Sequence, residues 1–260
     1  MTDDHRRLIV ETFGDQAARF DRPGLVLSDQ ALFGWVVEAL QARAGERALD
    51  VATGTGHLAR ALAKAGLAVI GADLTLRMLL TARDQAAREG LSGLALVGAA
   101  AEALPFADGA FDLVACRFAL HHYPDPAPAL AEMARLCRRH AGRVGIVDLI
   151  APEDGDAARR YNDFERLRDR SHCRALSLSE LARALEVAGL TVRATDRKAL
   201  RVDSERWLSV AATPEPARAE IDARLTEALA GRGDIGTEVF AESGRPGFVQ
   251  QVAVLLATRR

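Results

Sequence analysis

Five short β-rich runs alternate with helical patterns between residues 46 and 150, and this spacing restricts the fold more than any other feature. RALDVA, LAVIGA, LALVGA, FDLVACR and RVGIVDLI read as strands. After the first, Leu58, Ala61, Leu62 and Ala65 recur at i, i+3, i+4 and i+7, the period of an amphipathic helix. Thr75 is an N-cap candidate for a helix carrying Leu76, Leu79 and Leu80. Asp125-Pro126 opens another, with Leu130, Met133, Ala134 and Cys137 on one face and Gly142 as its expected end. Regular βαβ alternation builds a parallel sheet with helices on both faces. Ligands of such sheets lie at the carboxyl ends of the strands, near the switch point beside the first one.

Upstream, residues 4–20 and 28–43 read as two amphipathic helices. Downstream, 154–170 and 177–188 are helical in pattern, TVRATDRKALRV is strand-like, and 204–230 holds one or two helices. A glycine-rich segment, GRGDIGTEVFAESGRPGF, precedes a last strand, VQQVAVLLA. The chain of 260 residues is 49% hydrophobic, enough for a sizeable core. One domain over 1–260 is expected. Its parts are N-terminal helices (1–45), a cofactor-binding core (46–150), a lid or insertion (151–190) and C-terminal strands and helices (191–260).

Thirty-four basic residues against 36 acidic ones leave a formal charge of −2, without the electrostatic footprint of a nucleic-acid or anionic-membrane binder. The densest basic group, Arg138-Arg139-His140, falls where a helix should end, and cations there complement the helix dipole. MTDDHRRLIVETF lacks the apolar stretch of a signal peptide, and no window approaches the roughly 18 apolar residues of a membrane span. Cys116, Cys137 and Cys173 are few and far apart, which points to reduced thiols in a cytoplasmic protein. No His/Cys/Asp grouping has metal-ligand spacing, so no metal is expected.

The chemistry concentrates in the turn DVATGTGHLA, residues 50–59. Gly54 and Gly56 lack a Cβ, so the backbone can take positive φ there and a ligand can lie against it. Amide groups opening the next helix are then free to bond that ligand. With Ala59 the turn fits a relaxed GxGxxA dinucleotide fingerprint, and it suits another adenosine-bearing cofactor equally well. Asp73 lies 23 positions beyond Asp50 at the end of the second strand. Its carboxylate suits ribose hydroxyls, or the N-terminus of the helix that follows.

The runs LDVATGTGH, GADLTLRML, AEALPFADGAFDLV, RFALHHYPDPAPALAEMARLCR and GRVGIVDL resemble the successive motifs of class I S-adenosylmethionine-dependent methyltransferases. The most similar branch is that of the quinone-biosynthesis C-methyltransferases and their small-molecule relatives, and RDRSHCRALSLSELARALEVAGL extends the match toward residue 190. This resemblance implies a three-layer Rossmann-like α/β fold, with a seven-stranded sheet of order 3-2-1-4-5-7-6 and strand 7 antiparallel. It implies that Asp50 and the turn Ala52, Thr53, Gly54, Thr55 and Gly56 hold the methionine end of the cofactor. Asp73 then takes the ribose hydroxyls, Leu74 and Met78 flank the adenine, and Ala100, Ala101 and Glu102 meet its edge. Arg117 and Phe118 line the sulfonium region. Two positions depart from the pattern: Ala100 stands where many relatives carry aspartate, and Phe20 replaces a tyrosine that faces the cofactor carboxylate.

Methyl transfer is an in-line displacement, helped by proximity and, where the acceptor must lose a proton, by a base. His121-His122 follows the fourth strand at the carboxyl edge, with one ring expected inward and the other outward. His121 is the leading base, with a capping role as the alternative for each. His172, in the expected lid, is a second candidate, and Phe20, His122 and Tyr161 are candidate acceptor contacts. Asn162, Arg166 and Arg170 fall at i, i+4 and i+8 on one helical face, and its two arginines read as solvated; His57 serves the cofactor's environment or the helix start, and His5 and His140 belong to the surface. The expected activity is transfer of a methyl group from S-adenosylmethionine to O, N or C of a small, partly apolar molecule, with secondary metabolism as the expected setting. S-adenosylhomocysteine is the expected product. The expected partner is that acceptor, with neither nucleic acid nor membrane, and a homodimer is the candidate assembly. The same fold also admits cyclisation, decarboxylation or hydroxylation, or a non-catalytic binding subunit.

Overall fold

The computed structural model describes residues 2–20, 30–91, 93–211 and 213–259. Helix α1 (Asp3–Gln16) starts where the Thr2 side chain accepts from the His5 amide, with Asp3 and Asp4 in its first turn. It passes into a short 3-10 turn (Ala17–Arg19), and α2 (Gln30–Ala39) follows. The onset expected for α2 at residue 28 lies outside the described residues.

The alternating region then unfolds as expected: β1 (Arg47–Val51), α3 (His57–Lys64), β2 (Ala68–Asp73), α4 (Leu76–Arg88), β3 (Leu94–Gly98), β4 (Leu113–Arg117), α5 (Ala127–Leu136) and β5 (Arg143–Leu149). A 3-10 turn, Leu120–His122, lies between β4 and α5. Next come α6 (Gly155–Arg168), α7 (Leu178–Val187), β6 (Leu190–Asp203), α8 (Ser204–Val210), α9 (Glu215–Leu229), β7 (Val239–Glu242) and β8 (Arg245–Arg259).

The sheet order is β3-β2-β1-β4-β5-β8-β6, and β7 pairs with β8. Strands β3, β2, β1, β4 and β5 are mutually parallel, and β8 is antiparallel to both of its neighbours. The expected seven-strand order is therefore present, with its antiparallel last strand between the fifth and sixth. The sheet has eight strands instead of seven, because β7 and β8 form a hairpin through Ser243 (φ 51°) and Gly244 (φ 76°). Two consecutive left-handed residues make a turn whose twist matches that of the strands.

Alternation along each strand feeds opposite faces of the sheet. Leu49, Val51, Val114, Cys116 and Ile146 join Leu130, Met133 and Leu185 on one side. Ala48, Leu113, Ala115 and Val147 join Val36, Leu40, Leu58 and Leu62 on the other. A third cluster unites α6, α8, α9 and the start of β8: Phe164 stacks on Trp207 at 5.3 Å and meets Phe248 edge-on at 5.2 Å. The insertion after β5 and the helices after β6 thereby share one apolar centre.

Two helix ends differ from expectation. Helix α5 stops at Leu136, because Cys137 already has extended backbone (ψ 131°), so Gly142 serves the loop before β5. Thr75 occupies the N-cap position of α4 without a side-chain cap; the Asp73 carboxylate accepts the Thr75 amide at 2.7 Å instead. Among the described residues no helix is long and apolar enough to cross a membrane.

Candidate functional site

A cavity of about 270 Å³ opens at the carboxyl ends of β1, β2 and β4, as strand polarity requires. Ile9, Phe13 and Gln16 of α1 cover it from one side, and Trp207 and Val210 of α8 from another. Its floor is the turn after β1. Ala52 (φ 54°), Gly54 (φ 56°) and Gly56 (φ 80°) all have left-handed backbone, and so does Phe118 (φ 52°) after β4. Such a conformation costs a non-glycine residue about 1–2 kcal/mol, so Ala52 and Phe118 concentrate strain at the cavity wall.

Asp50 lies beneath this turn and does not line the cavity. Its Oδ2 accepts from Thr53 Oγ1 (2.6 Å) and the Ala59 amide (3.1 Å), tying the turn to the first residues of α3. Burial pushes its pKa up to about 7, against the opposing effects of the Thr53 bond and the Arg117 charge. Gly56 also stays off the wall; a Cβ there would stand 3.0 Å from Ala82 Cβ on α4. Ala52, Thr53, Gly54 and Thr55 face the cavity.

Asp73 lines it too, with Oδ2 accepting the Gly54 amide at 2.8 Å and Oδ1 the Thr75 amide. Asp73 thus closes β2 at the cavity edge and braces the start of α4 through the Thr75 amide. Burial raises its pKa, and the amide donors oppose that rise. Leu74, Met78, Ala99, Ala100, Ala101 and Leu104 form an apolar slot beside it. Glu102 does not line this slot. Its carboxylate turns to α1, where it meets Arg6 Nη2 at 2.6 Å.

Arg117, Phe118, Phe20 and Tyr123 line the middle of the cavity. The Arg117 guanidinium lies 4.8 Å from the Phe33 ring centre and 4.5 Å from that of Phe118. Burial lowers its pKa to about 10, with Asp50 and Asp148 opposing.

Both His121 and His122 line the cavity and both are buried, so the expected division into one inward and one outward ring does not hold. The 3-10 turn that carries them tucks both rings under α1, where His122 meets Phe13 edge-on at 4.8 Å. His121 Nδ1 is 2.5 Å from Asp148 Oδ1, at the end of β5. That contact fixes the tautomer: Nδ1–H donates to the carboxylate, which leaves Nε2 for proton transfer. Burial disfavours a charged His121 ring, and the Asp148 charge and bond outweigh it, so the pKa is raised. Burial and the neighbouring His121 push His122 down to about 4.

His172 does not reach the cavity. It packs behind His121 at 5.3 Å between ring centres, and its Nε2 meets Asn162 Oδ1 at 2.7 Å. Burial and the two nearby imidazoles push it down to about 2, so it is a neutral structural group. Asn162 is buried and also takes the Ala175 amide (2.7 Å) while donating to two carbonyls, whereas Arg166 and Arg170 on the same face are exposed. Tyr161 faces away too, in the sheet-side core and a second cavity bordered by Gly236 and Val249. His57 stacks on Phe33 at the start of α3 and meets the Phe20 carbonyl at 3.2 Å. His5 is half-buried and donates to the His122 carbonyl at 2.7 Å, which ties α1 to the histidine turn. His140 is exposed.

Sequence patterns did not single out Asp148, Arg168, Trp207 or Gln250. Asp148 carried a signal, as an acid ending a strand beside the one that leads to His121. The others come from helices and a strand remote in sequence, with no motif to mark them. Among the described residues no group of three or more His, Cys, Asp or Glu could hold a metal ion.

A family model described as a methyltransferase domain matches residues 49–142. Over 236 residues the chain is 31% identical to the uncharacterized methyltransferase YcgJ of Bacillus subtilis, an alignment covering 91% of this chain and 93% of that protein. The crystal structure of YcgJ superposes with a TM-score of 0.80 at 29% identity, covering 89% of this chain and all of that one (100%). A demethylmenaquinone methyltransferase of Thermus thermophilus is 37% identical over 148 residues, 55% of this chain and 66% of that protein.

Proposed function

The chain belongs to the methyltransferase family, and from that premise we propose that it transfers a methyl group from S-adenosylmethionine to a small, partly apolar acceptor. The observation that carries this is one cavity with two unlike ends. An apolar slot beside Asp73 suits an adenosine, and a second end bears His121, His122 and Trp207. The residues fit the cofactor in two further respects. Among the described residues other than its chain neighbours, no atom lies within 4 Å of the place a Gly54 Cβ would take, which leaves the turn open to a ligand. Thr55, also on the wall, has its Oγ1 buried without a hydrogen-bond partner among the described residues.

S-adenosylmethionine supplies an electrophilic methyl group on a sulfonium. Asp73 would accept the ribose hydroxyls, Leu74, Met78 and Ala99–Ala101 would sandwich the base, and the turn 52–55 would hold the methionine end. The slot lacks a carboxylate at Ala100, and Glu102 is engaged by Arg6, so recognition of the base rests on shape and backbone groups. His121, oriented by Asp148, takes the acceptor's proton through Nε2. Helix α1, tied down by His5, covers that end, and such cover strengthens the electrostatic interactions inside. The demethylmenaquinone methyltransferase relative supports an aromatic acceptor, for which Phe13, Phe20 and Trp207 supply apolar walls.

The test is incubation of the protein with methyl-tritiated S-adenosylmethionine and the small-molecule fraction of a bacterial extract. A labelled product that needs the protein, and is lost in His121→Asn, is expected. Absence of label in every fraction from a protein that binds S-adenosylhomocysteine would contradict methyl transfer.

A further inference from the structure

The acceptor end of the cavity carries more cationic than anionic groups. Arg168, Arg201 and Arg206 line it, together with Asp169 and Asp203. Both acids are already engaged. Asp169 accepts from the Ser171 amide (2.9 Å) and hydroxyl (2.5 Å). Asp203 caps α8 by accepting the Arg206 amide (3.0 Å) and faces Arg245 Nε at 3.5 Å. Arg201 is drawn toward the β7–β8 hairpin, 3.6 Å from the Phe240 ring centre and 3.6 Å from Glu242 Oε2.

Arg168 differs. Its side chain is 16% exposed, and its guanidinium lies 4.9 Å from the Trp207 ring centre. Its nearest carboxylate oxygen, on Asp169, is 3.8 Å away, beyond hydrogen-bonding distance. Its Nε is buried without a partner among the described residues. Arg206, one turn before Val210 on α8, has no carboxylate within ion-pairing distance among the described residues. A mostly buried guanidinium with unfilled donors is costly, and two parallel N–H···O bonds from a carboxylate satisfy it with both charge and geometry. The guanidinium over the Trp207 ring places its donors beside an aromatic wall of the cavity. Arg117, next to β1 and under the influence of Asp50, belongs to the cofactor side and does not compete for this group.

We propose that the methyl acceptor is an aromatic carboxylate, its acid group held by Arg168 with Arg206 alongside and its ring against Trp207. This rests on the methyl-transfer function above. The same site would bind the corresponding neutral amide poorly, because an amide offers Arg168 one neutral acceptor and no charge.

Trp207 and Trp35 are the two tryptophans of the chain, so Trp35→Phe leaves Trp207 as the sole indole reporter. Quenching of its fluorescence by 4-nitrobenzoate and by 4-nitrobenzamide, with the protein saturated with S-adenosylhomocysteine, reads the site directly. The acid should bind at least about tenfold tighter than the amide, the scale of a charge-assisted hydrogen bond. Arg168→Gln, added to Trp35→Phe, should remove that preference and leave affinity for the amide and for S-adenosylhomocysteine unchanged. Equal binding of acid and amide to the Trp35→Phe protein overturns the proposal, and that comparison needs no change at Arg168. An equal loss of both ligands in Arg168→Gln overturns it as well. Loss of S-adenosylhomocysteine affinity in Arg168→Gln would assign the arginine to the cofactor, with the same consequence. Failure of the parent protein to bind S-adenosylhomocysteine would instead break the methyl-transfer function, while the acid–amide comparison, run without it, remains readable.

Discussion

Replacing Asp148 with asparagine tests whether this carboxylate orients His121. Oδ1 of Asp148 meets His121 Nδ1 at 2.5 Å and accepts the Leu149 amide at 2.8 Å, and Oδ2 accepts the His121 amide at 3.2 Å. All three partners are donors, whereas an asparagine offers one acceptor oxygen and an NH₂ group. Whichever way the amide turns, its NH₂ opposes a buried N–H. An unsatisfied buried donor costs about 1–3 kcal/mol, and loss of charge assistance at Nδ1 adds about 1 more. The expected destabilisation is therefore roughly 2–4 kcal/mol, or a fall in Tm of about 5–15 °C for a chain of this length.

The pH dependence has a definite sign. Asp148 holds the His121 pKa above its ordinary value near 6.5. Its stabilisation is thus fully present below the unfolded pKa and disappears as pH rises through the higher folded value. The stability gap between parent and Asp148→Asn should be widest near pH 5.5 and narrow near pH 8.5. Thermal melts at both values, with a ¹⁵N-histidine NMR titration of His121, measure both effects. A His121 midpoint that stays put or rises in the variant, or a gap that widens with pH, would refute the assignment.

Three other substitutions probe the frame around the site. Asn162→Ala strands the His172 ring, the Ala175 amide and two carbonyls, so chemical denaturation should show a loss of about 3 kcal/mol or more. Trp207→Ala opens a cavity between Phe164 and Phe248 and should cost about 3–5 kcal/mol by the same measurement. Gly56→Ala forces a left-handed alanine whose Cβ meets Ala82, and a loss of about 1–2 kcal/mol is expected in urea unfolding. A neutral Gly56→Ala would show that the turn tolerates a side chain.

Particular residues explain what could be read from the chain in advance. The order of β1 to β5 followed from period: each strand is a short, mostly apolar run, and the helices between them repeat every three to four residues. Strand β7 escaped because VFAE is short and its turn is Ser243–Gly244, without the Asn-Gly or Asp-Gly signal of such hairpins. The turn after β1 was legible as a site, but the position of Asp50 beneath it depends on where Thr53 and Ala59 aim their donors. His172 and Tyr161 looked like acceptor contacts because they lie in the insertion; Asn162 and the packing of α6 on α9 turn them inward. Arg168, Trp207 and Gln250 line one cavity from long sequence distances, which no local pattern encodes.

The central claim is that the cavity beside Asp73 takes an adenosine-bearing sulfur cofactor. Isothermal titration with S-adenosylhomocysteine tests it most directly, with NADH as the control and Asp73→Ala as the perturbation. One-to-one binding of S-adenosylhomocysteine is expected, with no heat from NADH. The Asp73→Ala chain, shown by its melt to be folded, should bind at least about tenfold more weakly, the scale of hydrogen bonds to a charged group. No binding of S-adenosylhomocysteine to the parent, or equal affinity in folded Asp73→Ala, would contradict it.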